Sequence, residues 1–171
     1  MNNILIIENL LTPEKCQSLI AESIPFLDND NIKTHSGYAF RDWIDYHTHD
    51  IIAPASIEIL KQYRTVFPEF EITSNRWELG PWRFKHFPPG SYYKDWHSEH
   101  SCENPYRIAC LMIYLSEHNC GTEFYNGEVI QSRLGRAIVF PTFWTHTHRG
   151  QLCPENKSRY IMSAYIDMIP Y

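Results

Sequence analysis

The 171-residue sequence predicts an α+β fold, an N-terminal helical layer packed on a β-sandwich or barrel, in one domain spanning residues 1–171. Three observations carry this prediction. Helical spacing and helix-start chemistry are confined to the stretch before Phe67. After Thr73 the texture changes to short apolar runs divided by Gly and Pro, as in a chain of closely spaced strands. An aromatic content of 15% gives the chain enough apolar surface to offset the entropy of ordering, which excludes disorder.

The elements follow in order. Ile4 to Ile7 reads as a short buried strand. Thr12 followed by Pro13 is a helix start, an N-cap hydroxyl and then a proline at the first helical position. Cys16, Leu19, Ile20 and Ile24 recur at helical spacing until Pro25 ends the run. A second helix is predicted over 54–66, with Ile57, Leu60 and Tyr63 on one side and Pro68 as its stop. Between the helices, residues 28–50 are rich in Asp, Asn, His and Gly and read as strand and loop. Strands are then predicted over 82–87, 107–115, 122–125, 128–131, 136–140 and 158–167. Asn126-Gly127 marks a two-residue hairpin between two of them.

Charge and cysteine usage narrow the function. The net charge of −5 is uneven, −6 over the first 75 residues and +1 over the rest, and no cluster of Lys and Arg is suited to a phosphate backbone, so no nucleic-acid partner is expected. No apolar run approaches the ~20 residues that span a bilayer, and the start lacks a basic, then apolar, export signal. The expectation is a cytoplasmic protein without a membrane partner. Cys16, Cys102, Cys110, Cys120 and Cys153 are odd in number and form no Cys-x-x-Cys pair, so they are expected as reduced thiols. Most of the nine histidines lie beyond residue 75, which places the chemistry there.

The densest polar stretch is Tyr92-Tyr93-Lys94-Asp95-Trp96-His97-Ser98-Glu99-His100. On a strand, His97 and Glu99 would point to one face and offer an imidazole beside a carboxylate; a solvated edge strand is the plain alternative. A second polar stretch, Thr145-His146-Thr147-His148-Arg149-Gly150, supplies a further imidazole, with His146 and His148 sharing a face if extended. Two nitrogens and one carboxylate on one face of a metal, with its other positions open, is the arrangement of non-haem Fe(II) oxygenases. Arg159, eleven residues after His148, would anchor the far carboxylate of a dicarboxylic acid through its planar fork.

Taken together, these residues resemble the 2-oxoglutarate and Fe(II)-dependent dioxygenases in their prolyl 4-hydroxylase-like branch. Leu10-Leu11-Thr12-Pro13-Glu14-Lys15-Cys16 looks like the family's opening strand-to-helix segment, and Phe87-Pro88-Pro89-Gly90-Ser91-Tyr92-Tyr93 is similar to its approach to the first ligand. His97-Ser98-Glu99 sits at the His-x-Asp/Glu motif, and Arg107 with Tyr114-Leu115-Ser116 at its Arg-x6-Tyr-Leu-Asn strand. Gly121-Thr122-Glu123-Phe124 matches a turn, residues 135–141 precede the distal histidine, and Arg159-Tyr160 matches the anchor. The seven matches occur in the family's order. Glu99 stands where most members have Asp, Phe87 where Tyr is common and Ser116 where Asn is usual.

The resemblance implies a double-stranded β-helix (jelly roll) flanked by N-terminal helices. It implies an enzyme, a dioxygenase hydroxylating a C–H bond of a peptidyl proline, an amino acid or a small metabolite, with Fe(II) as metal, 2-oxoglutarate and O₂ as co-substrates and room for ascorbate. His97, Glu99 and His148 would hold the metal, the family's spacing to the anchor selecting His148 over His146. Arg159 and Tyr114 would bind the co-substrate, Tyr114 otherwise being a core aromatic. Residues 38–50 look like the family's substrate lid, with Arg41 and Trp43 as candidate contacts. Two rivals are a jelly-roll binding module that has lost turnover and a zinc hydrolase using His47 and His49, since His47-Thr48-His49-Asp50 partly resembles a metallo-hydrolase motif.

Overall fold

A computed structural model describes residues 3–27, 33–35, 38–42, 48–73 and 76–170, with side chains except at 33–42 and 73. In chain order the elements are β1 (Leu5–Ile7), α1 (Pro13–Ser23), β2 (Lys33–His35), β3 (Tyr38–Asp42), α2 (Ile52–Val66), α3 (Glu69–Thr73), β4 (Trp77–Leu79), β5 (Arg83–Phe87), β6 (Arg107–Tyr114), β7 (Gly121–Phe124), β8 (Val129–Gln131), β9 (Ala137–Pro141), β10 (His148–Gly150) and β11 (Arg159–Met168). Among the described residues the strands form two antiparallel sheets. The larger runs β1-β9-β6-β11-β5-β3-β2, with β4 also paired to β11, and the smaller runs β10-β7-β8.

Side-chain alternation along the large sheet builds two cores. On β6, Ala109, Leu111 and Ile113 face the helices, while Cys110, Met112 and Tyr114 face the small sheet. On β11, Met162, Ala164 and Ile166 take the helix side and Ile161 and Tyr165 the other. Both faces are therefore buried, which is why these strands read as nearly unbroken apolar runs. The helix-side core takes Leu19 from α1 and Ile52, Ile59 and Tyr63 from α2. The second core lies between the sheets, where Phe124 and Ile130 meet Phe140 and Ile161. This is the jelly roll, with its helices on the outer face of the large sheet.

Local chemistry sets the boundaries. Thr12 Oγ1 accepts the Lys15 N–H at 3.4 Å and Pro13 opens α1, as the sequence predicts. Pro25 lies inside a 3₁₀ turn over Ile24–Phe26, and Ile24 is at the surface. Helix α2 begins at Ile52, two residues before Pro54, because His49 Nδ1 accepts the N–H groups of Ile51 and Ile52 at 3.2 and 3.3 Å. Its buried face is Ile52, Ala55, Ser56, Ile59 and Tyr63, so the expected face with Ile57 is corrected: Ile57 is 68% exposed. Ser56 lies buried because its hydroxyl accepts from Trp82 Nε1 at 2.8 Å and donates to the Ile52 carbonyl.

Three further differences bear on function. Residues 92–100 are not a strand; their ladder is reduced to a single bridge in which His97 and His148 exchange backbone bonds of 3.0 and 2.9 Å. His146 does not share a strand face with His148, because it closes a 3₁₀ turn over Trp144–His146 that precedes β10. Cys120 and Cys153 are joined by a disulfide, correcting the expectation of reduced thiols for these two, while Cys16, Cys102 and Cys110 are free. A separation of 33 residues gives no sign of that pairing; the fold brings the two Cα atoms to 4.9 Å. No helix among the described residues is long and apolar enough to cross a membrane.

Candidate active site

Three lone-pair donors converge at the mouth of the jelly roll. The His97–His148 bridge sets the two imidazoles side by side, their ring centroids 4.4 Å apart. Glu99 Oε1 lies 3.6 Å from His97 Nε2 and 4.0 Å from His148 Nε2. Each ring has its Nδ1 at 3.0 Å from a backbone carbonyl, Asp95 for His97 and His146 for His148. A carbonyl only accepts, so Nδ1 carries the hydrogen, and when the ring is neutral its Nε2 lone pair turns toward Glu99. Acceptors then face acceptors, an arrangement that a cation between them makes favourable. Fixing the far nitrogen on a carbonyl is also how metal-binding histidines are oriented.

Electrostatics keep Glu99 and His148 unprotonated. Burial pushes the Glu99 carboxyl up, but its contact with His97 and the charge of Lys85, together with that of either imidazole when protonated, override this and hold it at about 2. Burial, then the neighbouring His97, pull His148 down to about 4 against the attraction of Glu99. The rings of Phe124 and Phe140, at 5.7 and 4.8 Å, form the apolar wall behind it. Arg107 Nη1 stands 3.5 Å from Glu99 Oε2, and its guanidinium lies over the Tyr165 ring at 3.8 Å.

A cavity of about 400 Å³ runs from this cluster to Arg159, and both ends line it. Arg159 opens β11 opposite Phe87 and is 4% exposed. Among the described residues it has no carboxylate partner; its Nη1 contacts Cys120 Sγ at 3.3 Å and the Gln151 carbonyl at 3.5 Å, and its Nε has no hydrogen-bond partner. The Phe87 ring stacks beneath the guanidinium at 4.7 Å, so the residue at the family's tyrosine position packs the arginine without adding a hydroxyl. Tyr114 lines the same cavity, with its hydroxyl 2.7 Å from Thr122 Oγ1. Burial raises the Tyr114 phenol to about 12, so it stays a neutral donor and acceptor.

The structure thus brings His97, Glu99 and His148 together, and places Arg159 and Tyr114 in the same cavity. His146 stays outside the cluster, its Nδ1 2.9 Å from Thr145 Oγ1. His49 spends its ring on α2 and on Glu22 Oε2 at 3.0 Å; His47, Trp43 and the Arg41 side chain lie outside the described residues. Ser163, on the Arg159 face of β11, is fully buried and its hydroxyl has no partner among the described residues. Sequence reasoning missed Lys85, which lines the cavity at 8% exposure and whose charge burial opposes. The available signal was its place between Phe84 and Phe87 on a predicted strand, where a lysine must face a polar cavity or solvent.

No protein-family model and no curated protein matches the chain. Solved structures do. A viral collagen prolyl hydroxylase from Paramecium Bursaria Chlorella virus-1, in its 2-oxoglutarate complex, superposes with a TM-score of 0.74 at 19% identity, covering 98% of this chain and 97% of that one. A Pseudomonas putida prolyl-4-hydroxylase gives 0.72 at 14% identity over 99% and 95%. A Trichoplax adhaerens prolyl hydroxylase, solved with a hypoxia inducible factor peptide fragment, gives 0.75 at 10% identity over 98% and 84%. At these identities the likeness establishes the fold: the jelly roll of prolyl hydroxylases, matched over nearly the whole chain.

Proposed function

We propose that the chain, acting as one domain over residues 1–171, is an Fe(II)- and 2-oxoglutarate-dependent dioxygenase that hydroxylates a C–H bond. One observation carries this reading. A single cavity joins two imidazoles and a carboxylate at one end to a buried arginine without a carboxylate partner among the described residues at the other. An isolated buried charge costs several kcal/mol, so Arg159 implies an anion, and the cluster implies a cation. A dicarboxylic 2-oxo acid chelating a metal answers both.

The donor set fits Fe(II): two imidazoles and one carboxylate, with no cysteine. When bound, the metal would supply a place for the 2-oxo acid and O₂ to meet and oxidise a C–H bond as the 2-oxo acid loses CO₂ to become succinate. His97, Glu99 and His148 would hold it. Arg159 would pair with the far carboxylate while Tyr114 hydrogen-bonds the same group. The Phe87 ring packs against the face of the guanidinium at 4.7 Å.

The substrate class is a peptidyl proline, an amino acid or a small metabolite. The Trichoplax neighbour's peptide complex supports a peptide. The proposed compartment is the cytoplasm, where the Cys120–Cys153 pair would be reduced. The test is succinate formation by Fe(II)-loaded protein with 2-oxoglutarate and O₂ across a panel of proline peptides, amino acids and small acids. Succinate matched by hydroxylated product, and lost in Glu99→Ala, is the expected result. Binding of 2-oxoglutarate without succinate from any member would mark a binding module instead.

A further inference from the structure

Behind Arg159, away from the proposed iron site, a second set of donor atoms meets. His118 and Cys120 lie just before β7, and Cys153 and Glu155 lie in the segment leading into β11. The ligand atoms of His118, Cys153 and Glu155 all lie within 4.8 Å of one another, and Cys120 is bonded to Cys153. Two hydrogen bonds, one of them to a side chain, hold the segments together: Gly121 N–H donates to Gln151 Oε1 at 3.1 Å and Gln151 N–H to the Gly121 carbonyl at 3.0 Å.

Two of these atoms point to a ligand. His118 Nδ1 and Glu155 Oε2 are buried 3.8 Å apart, and neither has a hydrogen-bond partner among the described residues. The other atom of each side chain is fixed. Glu155 Oε1 accepts the Asn119 N–H at 2.7 Å. His118 Nε2 lies 3.1 Å from Ser116 Oγ, which itself accepts the Tyr160 N–H at 2.9 Å. With Nε2–H given to Ser116, the Nδ1 lone pair faces a carboxylate oxygen across a gap too long for a hydrogen bond. Ser116 therefore orients this ring as second partners orient metal-binding histidines.

We propose that His118, Cys120, Cys153 and Glu155 form a second metal site, which binds Zn²⁺ when the Cys120–Cys153 bond is reduced. Four donors of the N, S, S, O type suit a tetrahedral zinc ion. In the reduction a dithiol donates two electrons and two protons and becomes a disulfide, and the S–S bond opens to two thiols. Each thiol releases its proton as its sulfur binds the metal. Two thiolates and a carboxylate leave the loaded site with one net negative charge, beside Arg159, whose Nη1 lies 3.3 Å from Cys120 Sγ. The metal would cross-link the two segments on which the disulfide now acts.

Co²⁺ serves as the probe, added to full-length protein reduced with a phosphine, because a thiolate bound to cobalt absorbs in the near ultraviolet and the proposed iron site contains no cysteine. Two equivalents, one of which the proposed iron site takes up without a thiolate band, should develop that band and Zn²⁺ should displace it; unreduced protein should show none. Cys153→Ser should remove most of the band, His118→Ala should weaken binding by about 100-fold and Ser116→Ala by about 10-fold. Cys102→Ser, at an exposed thiol, should leave the band intact. Reduced wild type that keeps its folded circular dichroism but gives no thiolate band would overturn the site. So would a band unchanged by His118→Ala, which would leave only a disulfide beside a His–Glu pair.

Discussion

Arg159 and His148 show what single side chains contribute. Arg159 is buried without a carboxylate among the described residues, so its charge is set for an incoming anion. Arg159→Ala should weaken 2-oxoglutarate binding by about 100-fold, the loss of a charge-assisted pair worth ~3 kcal/mol, while metal binding stays nearly intact. Arg159→Lys should recover part of it, because the charge returns without the fork. Anaerobic co-substrate titration separates the three proteins. For His148 the measurement is stability against pH in chelator. Its folded pKa, about 4, lies below the ordinary 6.5, so the unfolded chain takes up that proton first as the pH falls. The contribution is intact above about pH 6.5 and is lost toward pH 4. Between pH 7 and 5, metal-free wild type should lose about 2 kcal/mol more than His148→Gln, by denaturant unfolding; equal slopes would mean that the ring is not held neutral by burial.

At the scale of elements, legibility followed burial on both faces. Strands β6, β9 and β11 stand out in the sequence because each is packed between helices and small sheet, giving long apolar runs. Strands β4 and β10 were missed: each has three residues, and His148-Arg149-Gly150 carries polar site chemistry where a strand signal would be apolar. Helix α3 follows directly on Pro68 and is too short for periodicity to register. The α2 face was misread because Ser56 counts as polar in a pattern, whereas in the fold it is a buried hydrogen-bond partner of Trp82. This has a measurable consequence. Ile57→Gln should change stability by no more than about 0.5 kcal/mol, and Ile59→Ala should cost about 2–5 kcal/mol, by urea unfolding. The metal motif was legible as residue types in order, but the His97–His148 bridge that joins its halves depends on chain return through β10, which no local pattern encodes.

Across the whole molecule, two sheets hold a cavity whose ends are chemically opposite. Glycine at 135 keeps the frame closed: its φ of +74° and its place against Leu11, where a Cβ would fall 2.0 Å from the carbonyl oxygen, admit no side chain. The same frame is shared with prolyl hydroxylases at 10–19% identity, because alternating burial, rather than particular residues, specifies it. The measurement that bears most directly on the cavity is anaerobic titration of 2-oxoglutarate into Fe(II)-loaded protein, followed by metal-to-ligand absorbance. Wild type should develop a saturable visible band at one co-substrate per chain, and Glu99→Ala should develop none. A wild-type protein that binds Fe(II) yet shows no such band at any 2-oxoglutarate concentration would contradict the dioxygenase assignment.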